Sequence, residues 1–292
     1  MKNEYTVLLF YKFVDIENPE ALRDEQRALC EKLNLKGRVL IGEEGINGTL
    51  EGRTEDTDAY KTAMHADPRF TDILFKESEG TGKSFPKLKV KVRTEIVTLG
   101  AGRFDVAKET AKEMTAEEFD KLYESGEDFV VLDLRNDYEV EAGYFDKTFD
   151  PKLKNFRDLP NKLAELEHLK DKKVVSVCTG GIRCEKATCL LNREGFTDLY
   201  QLKDGIHTYM QKYPGKHFKG TLFVFDDRLV TDVASDVPNK VVVGKCAYCG
   251  APSEQFYNDD RHVPSLKIIA CDTCFSQNSA DLRNPIEKVA SA

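Results

Sequence analysis

Two short apolar runs, FVVLDLR (129–135) and KVVSV (173–177), and a further strand-like stretch, DLYQL (198–202), are separated by segments with helical spacing. Runs of this kind, apolar on both faces and joined by helices, belong to a parallel sheet covered on both sides. TAEEFDKLYESG, an acidic helix closed by Gly126, precedes the first run. LPNKLAELEHLKD and CEKATCLLNREG, the latter ending at Gly195, read as the helices between the strands. In such a sheet, reactive groups gather at the carboxyl ends of the strands.

KVVSV ends at Cys178, which Thr179, Gly180, Gly181, Ile182 and Arg183 follow before a helix begins near Cys184. The glycines let the backbone bend tightly enough to turn its N–H groups inward, and the helix N-terminus adds to that anion-favouring cradle. A thiol held there beside Arg183 is expected to ionise easily and react as a thiolate. The plainer alternative is an inert buried cysteine beside a turn. For Cys184 two readings stand: a thiol that resolves an oxidised Cys178 as a disulfide, or a packing residue of the first helical turn. Asp133 and Arg135, at the end of an earlier strand, form either an ion-pair network holding the loops or part of the pocket mouth. Cys30 and Cys189 sit among helical leucines and read as core.

A chain of 292 residues has room for several domains. Its first hundred residues run strand (VLLFYKFV), helix (PEALRDEQRALCEKLN, with Asn18 as cap), two strands about a glycine bend (GRVLIGEEGINGTLEG), helix (TEDTDAYKTAMHAD) and further strands (ILFKE, KLKVKVRTEIVTL). A β-α-β-β-α-β order predicts a ferredoxin-like α+β sandwich. Residues 94–112 read as a connector, giving an α/β multidomain chain of three parts: 1–100, 113–215 and a cysteine-rich 216–292. GEEGINGTL lacks the glycine pattern of a dinucleotide or phosphate loop, and no flavin or nicotinamide motif is found. Asn47 within it is a candidate RNA contact.

FPKLKVKVR places Lys87, Lys89, Lys91 and Arg93 at period two, on one face of a strand, with Lys83 nearby. Such a row either meets the phosphates of RNA or protects an exposed sheet edge. Cys246, Cys249, Cys271 and Cys274 form two C-x-x-C pairs about twenty residues apart, the spacing of a four-thiolate structural zinc site. A redox pair is the competing reading, and His262 between them reads as an exposed polar residue. The formal net charge of −8 argues against a non-specific coat on nucleic acid, and no DNA partner is expected. No apolar run approaches the ~18 residues of a membrane span, and the N-terminus reads as a strand rather than a signal peptide. A cytoplasmic protein is expected, with no membrane partner; nothing in the sequence sets its oligomeric state.

VLDLRNDYE (131–139), VVSVCTGGIRCEKA (174–187) and YQLKDGI (200–206) together resemble a rhodanese domain, whose loop cysteine accepts a sulfur atom to become a persulfide. Phosphatases of related fold use Cys-x5-Arg; the shorter spacing from Cys178 to Arg183 speaks against that chemistry. With GEEGINGTL before this domain and the paired cysteines after it, nearly the whole chain is similar to the rhodanese-like tRNA uridine-34 hydroxylases. That resemblance implies oxygen-dependent 5-hydroxylation of the wobble uridine. It also implies the tRNA anticodon region as partner, molecular oxygen as co-substrate and Cys178 as the essential group. The alternatives are a sulfurtransferase carrying a Cys178 persulfide and a non-catalytic RNA-binding scaffold. No two-histidine-one-carboxylate set for oxygen activation is found.

Overall fold

The computed structural model describes residues 3–283 apart from 235, 236, 238, 239 and 264. The chain divides into two compact units, one of residues 1–100 and 106–108, the other of 101–105 and 109–292.

The first unit runs β1 (Tyr5–Phe13), α1 (Pro19–Lys32), β2 (Lys36–Gly42), β3 (Gly45–Arg53), α2 (Thr54–Ala66), β4 (Phe75–Glu79) and β5 (Leu88–Val92). Helix α1 begins with Pro19 at its first position and Asn18 as cap, whose side chain accepts from the Ala21 amide at 3.0 Å. The sheet order is β4-β1-β3-β2-β5. Its first four strands are antiparallel, as the ferredoxin-like sandwich requires, and β5 adds a parallel edge beside β2. Leu8, Phe10, Val39, Ile41, Ile46, Leu50 and Val90 of the strands share one core with Leu22 and Cys30 of α1 and Tyr60 and Met64 of α2. Gly48 is fixed by that core: a Cβ there would lie 2.4 Å from the Phe10 ring.

The second unit contains β6 (Lys112–Met114), α3 (Ala116–Glu124), β7 (Val130–Asp133), α4 (Asp137–Ala142), β8 (Gly143–Phe145), β9 (Thr148–Phe149), β10 (Lys173–Val177), α5 (Ile182–Arg193), β11 (Asp198–Leu202) and α6 (Gly205–Lys212). The strands make a parallel sheet in the order β6-β11-β10-β7-β9. Thr115 opens α3 with a capping box closed by Glu118. On one face, Val131, Val175 and Val177 pack with Phe119 of α3 and Tyr209 of α6. On the other, α5 lies against β10 and β11, and Ser176 shares a hydrogen bond with Cys184. LPNKLAELEHLKD is not the single helix its leucines suggest. Pro160 supplies no N–H, and the segment takes a 3-10 stretch (Phe156–Lys162), one α turn (Leu163–Leu166) and a second 3-10 turn (Glu167–Leu169). Leu159, Leu166 and Leu169 are buried all the same.

The chain then adds β12 (Phe218–Gly220), which pairs with β8, a hairpin of β13 (Leu222–Phe223) and β14 (Val230–Thr231), and a small sheet of β15 (Phe256–Asp259), β16 (Leu266–Ile269) and β17 (Leu282–Arg283) with α7 (Asp272–Gln277). Phe256 and Ile269 pack with Ala142 of α4 and Phe223 of β13, so this tail and the parallel-sheet domain share a hydrophobic cluster. Among the described residues no helix is long and apolar enough to cross a membrane.

Candidate active site

Strand β10 delivers Cys178 to the carboxyl end of the parallel sheet, next to the Asp133 end of β7. The chain turns through Gly181, whose φ of 103° suits glycine, and enters α5 at Ile182. The Gly181 N–H donates to the Cys178 sulfur at 3.2 Å. The loop is clamped from below by α6: the Ile206 N–H donates to the Cys178 carbonyl at 2.9 Å, and the His207 N–H to the Thr179 carbonyl at 3.0 Å. Gly205 permits this approach, since a Cβ there would stand 2.7 Å from both carbonyl oxygens.

Burial alone would push the Cys178 thiol up. The hydrogen bond from the Cys184 thiol, the charge of Arg183 and the amides of Cys184 and Gly181 outweigh it, lowering the thiol to about 5. Cys184 moves the opposite way, well above the usual thiol range, because it is buried and faces the Cys178 thiolate. The pair is therefore polarised, with the charge favoured on Cys178 and the proton on Cys184. Both are free thiols with no accessible surface. The Cys178 sulfur is thus held as a thiolate inside the loop, with no accessible surface in this structure.

Arg183 does not spend its donors on that sulfur. Its guanidinium forks onto Glu139 of α4, at 2.6 Å and 2.9 Å, and donates to the Thr179 hydroxyl at 3.1 Å. Thr179 in turn donates to Glu139 at 3.4 Å, and Glu139 also accepts from the Asn136 N–H at 2.9 Å. Glu139, which follows Asp133 and Arg135 in the sequence, is wholly buried here. It forms a capping box with Asn136 at the start of α4. Asp133 and Arg135 form a wholly buried ion pair at 2.6 Å. Arg135 also donates to the carbonyls of Glu139 and Gly143, so the pair holds the turn into α4 and with it Glu139.

In the first unit, Lys87, Lys89, Lys91 and Arg93 are exposed along edge strand β5, while Leu88, Val90 and Val92 alternate with them toward the interior. Lys83 is exposed on the loop before it, which Glu51 secures by accepting from the Thr81, Gly82 and Ser84 amides. No described carboxylate pairs with any of these five cations. Arg38 of β2, exposed and in register with Lys89, extends the stripe and was missed because strand pairing is invisible in a single sequence. The Asn47 side-chain amide donates to the Ile96 carbonyl at 2.8 Å.

The sulfurs of Cys246, Cys249, Cys271 and Cys274 lie within 4.8 Å of one another, with Cys249 and Cys271 at 3.7 Å. The amides of Cys271, Cys249 and Tyr248 point at the Cys246 sulfur. Four thiolates about 2.3 Å from a tetrahedral zinc would stand about 3.8 Å apart, so the cluster fits that ion. His262 is exposed and does not belong to the cluster.

A parallel sheet presenting a Cys-x4-Arg loop at a strand end, cupped by amides, defines a rhodanese-type domain. The Rhodanese-like domain family matches residues 115–212, flanked by the UPF0176 acylphosphatase like domain at 5–96 and the Rhodanase C-terminal family at 219–282. A tRNA uridine(34) hydroxylase of Cytophaga hutchinsonii is 40% identical over 271 residues, 93% of this chain and 86% of that one. One from Staphylococcus carnosus is 44% identical over 259 residues, 87% of this chain and 81% of its own. Among solved structures, a rhodanese-like domain protein from Staphylococcus aureus aligns with a TM-score of 0.29 at 26% identity, covering 34% of this chain and 90% of that one. The chain belongs to the tRNA uridine(34) hydroxylase family, and its members are enzymes.

Proposed function

We propose that this protein hydroxylates the wobble uridine of tRNA at C5, in the cytoplasm, with dioxygen as co-substrate and the Cys178 thiolate as the attacking group. The carrying observation is a buried thiol that takes the Gly181 N–H at 3.2 Å and is lowered to about 5 beside Arg183 and the Cys184 amide, in a chain of this family. In this scheme the sulfur adds to uracil C6 and the electron pair moves to C5, with Arg183 and the loop amides steadying the negative charge. C5 takes up dioxygen as a hydroperoxide, which a thiol reductant cuts with two electrons and two protons to leave hydroxyl and water. Loss of the C5 proton then expels the thiolate. Each uridine consumes one dioxygen and one two-electron reductant. Residues 1–100 hold the RNA through Lys83, Lys87, Lys89, Lys91 and Arg93, residues 113–215 carry the reaction, and residues 216–292 are tied by zinc on Cys246, Cys249, Cys271 and Cys274.

Replacing Cys178 with serine is expected to abolish 5-hydroxyuridine in tRNA from cells that depend on this gene, read by nucleoside mass spectrometry. Persistence of the modification would reject the role. Loss of persulfide transfer with 5-hydroxyuridine intact would favour the sulfurtransferase.

A further inference from the structure

Phe225 is 47% exposed, yet it sits at the active-site rim. Its ring lies 5.8 Å from the Arg183 guanidinium carbon, within cation–π range. Arg183 is otherwise occupied by Glu139 and Thr179, so its position is set by the loop and not by the ring. One exposed aromatic is ordinary on a protein surface. An exposed aromatic set beside a reactive loop by a hydrogen-bonded turn and a buried aromatic is not.

Phe225 occupies the turn between β13 and β14. Asp226 accepts from the Arg228 amide and twice from its guanidinium, at 3.0, 2.7 and 2.6 Å. The Leu229 N–H donates to the Asp226 carbonyl, and the Val224 N–H to the Leu229 carbonyl. Behind it stands Phe223, fully buried, edge-on to Phe225 at 5.4 Å. Phe223 is braced edge-on by Tyr138 of α4 and Phe256 of β15, each at 5.1 Å. Tyr138 precedes Glu139, so one helix supports both the ring and the partner of Arg183.

We propose that Phe225 is the stacking platform for the target pyrimidine, holding the flipped base against the rim while its C6 edge meets the Cys178 loop. This inference rests on the tRNA reading above. A base taken out of its stack needs a flat apolar face to replace its neighbours. Aromatic stacking provides one without reading sequence, leaving selection of the base to the polar loop.

The chain contains no tryptophan, so Phe225→Trp introduces a single indole at this position, excited selectively over the tyrosines at the red edge of absorption. Titration with an anticodon stem-loop RNA carrying uridine at position 34 is expected to quench its emission. The same RNA with an abasic site at 34 is expected to bind with little quenching. Phe225→Ala should raise KM for tRNA hydroxylation about tenfold to a hundredfold with a smaller loss of kcat, and Phe225→Trp should restore it. Equal emission changes with both RNAs, or an unchanged KM in Phe225→Ala, would overturn the assignment. Uridine-dependent quenching in a protein that forms no 5-hydroxyuridine would uphold the platform and reject the hydroxylation reading.

Discussion

The Cys178 thiolate depends on a second thiol. Burial works against its charge, and the first influence opposing burial is the hydrogen bond from Cys184. A hydrogen bond to a charged group is worth about 1.5–3 kcal/mol, or about one to two pKa units at 1.36 kcal/mol each. Cys184→Ala is therefore expected to move the pH midpoint of Cys178 alkylation up by about that much, while Cys184→Ser, which keeps a donor, moves it less. In the wild type the alkylation rate should level off above a midpoint near 5, rather than climb through about 8.5 as an ordinary thiol does. A wild-type midpoint near 8.5 would remove the basis for the thiolate. The sign for stability follows the same way. The folded pKa is depressed, so the contribution is complete above the unfolded thiol's pKa and is lost as pH falls through about 5.

At the scale of elements, β5 combines two properties that compete for one explanation. It is an edge strand, and edge strands carry lysines to prevent pairing with other chains. Its cations are also continuous with Arg38 on the neighbouring strand, and edge protection does not require that. Lys89→Glu with Lys91→Glu is expected to weaken tRNA binding and reduce the slope of log K against log salt by about 1–2, since each lost phosphate contact removes roughly 0.7–0.9. Unchanged affinity and slope, with new self-association, would assign the stripe to edge protection. Period two made this strand legible in the sequence, as helical spacing and the Asn18-Pro19 cap made α1 legible. Period failed at LPNKLAELEHLKD, where leucine spacing suggested one helix and the chain instead takes a 3-10 stretch, one α turn and a second 3-10 turn. The loop itself was readable because its residues are neighbours in the chain. Arg38 and Phe225 were not, because each acts through a partner that only folding brings near.

The whole molecule places its least self-sufficient part behind its most exacting one. The tail sheet consists of short strands around Tyr257, Ala270 and Leu282, with Tyr257 stacked on Phe275 at 4.1 Å. A core this small does not repay the entropy of ordering the chain around it. Zinc on the four sulfurs would supply the difference, because binding that requires the folded site adds to folding. The stabilisation would extend past the tail, since Phe256 and Ile269 pack on Phe223 and Ala142, which belong to the hairpin and helix that carry Phe225 and Glu139. Purified protein is therefore expected to hold one zinc per chain by elemental analysis. A strong chelator, or Cys249→Ser with Cys271→Ser, should lower the melting temperature by about 5–10 °C, which for a unit this size corresponds to roughly 2–4 kcal/mol. Limited proteolysis should then cut between Cys246 and Cys274 while the parallel sheet resists. Hydroxylation should fall along with the tail's order, because the bracing of Tyr138 and Phe223 loosens even though no zinc touches the substrate. Metal-free protein with unchanged melting and digestion would instead assign these thiols to redox chemistry and leave the aromatic cluster to hold the tail alone.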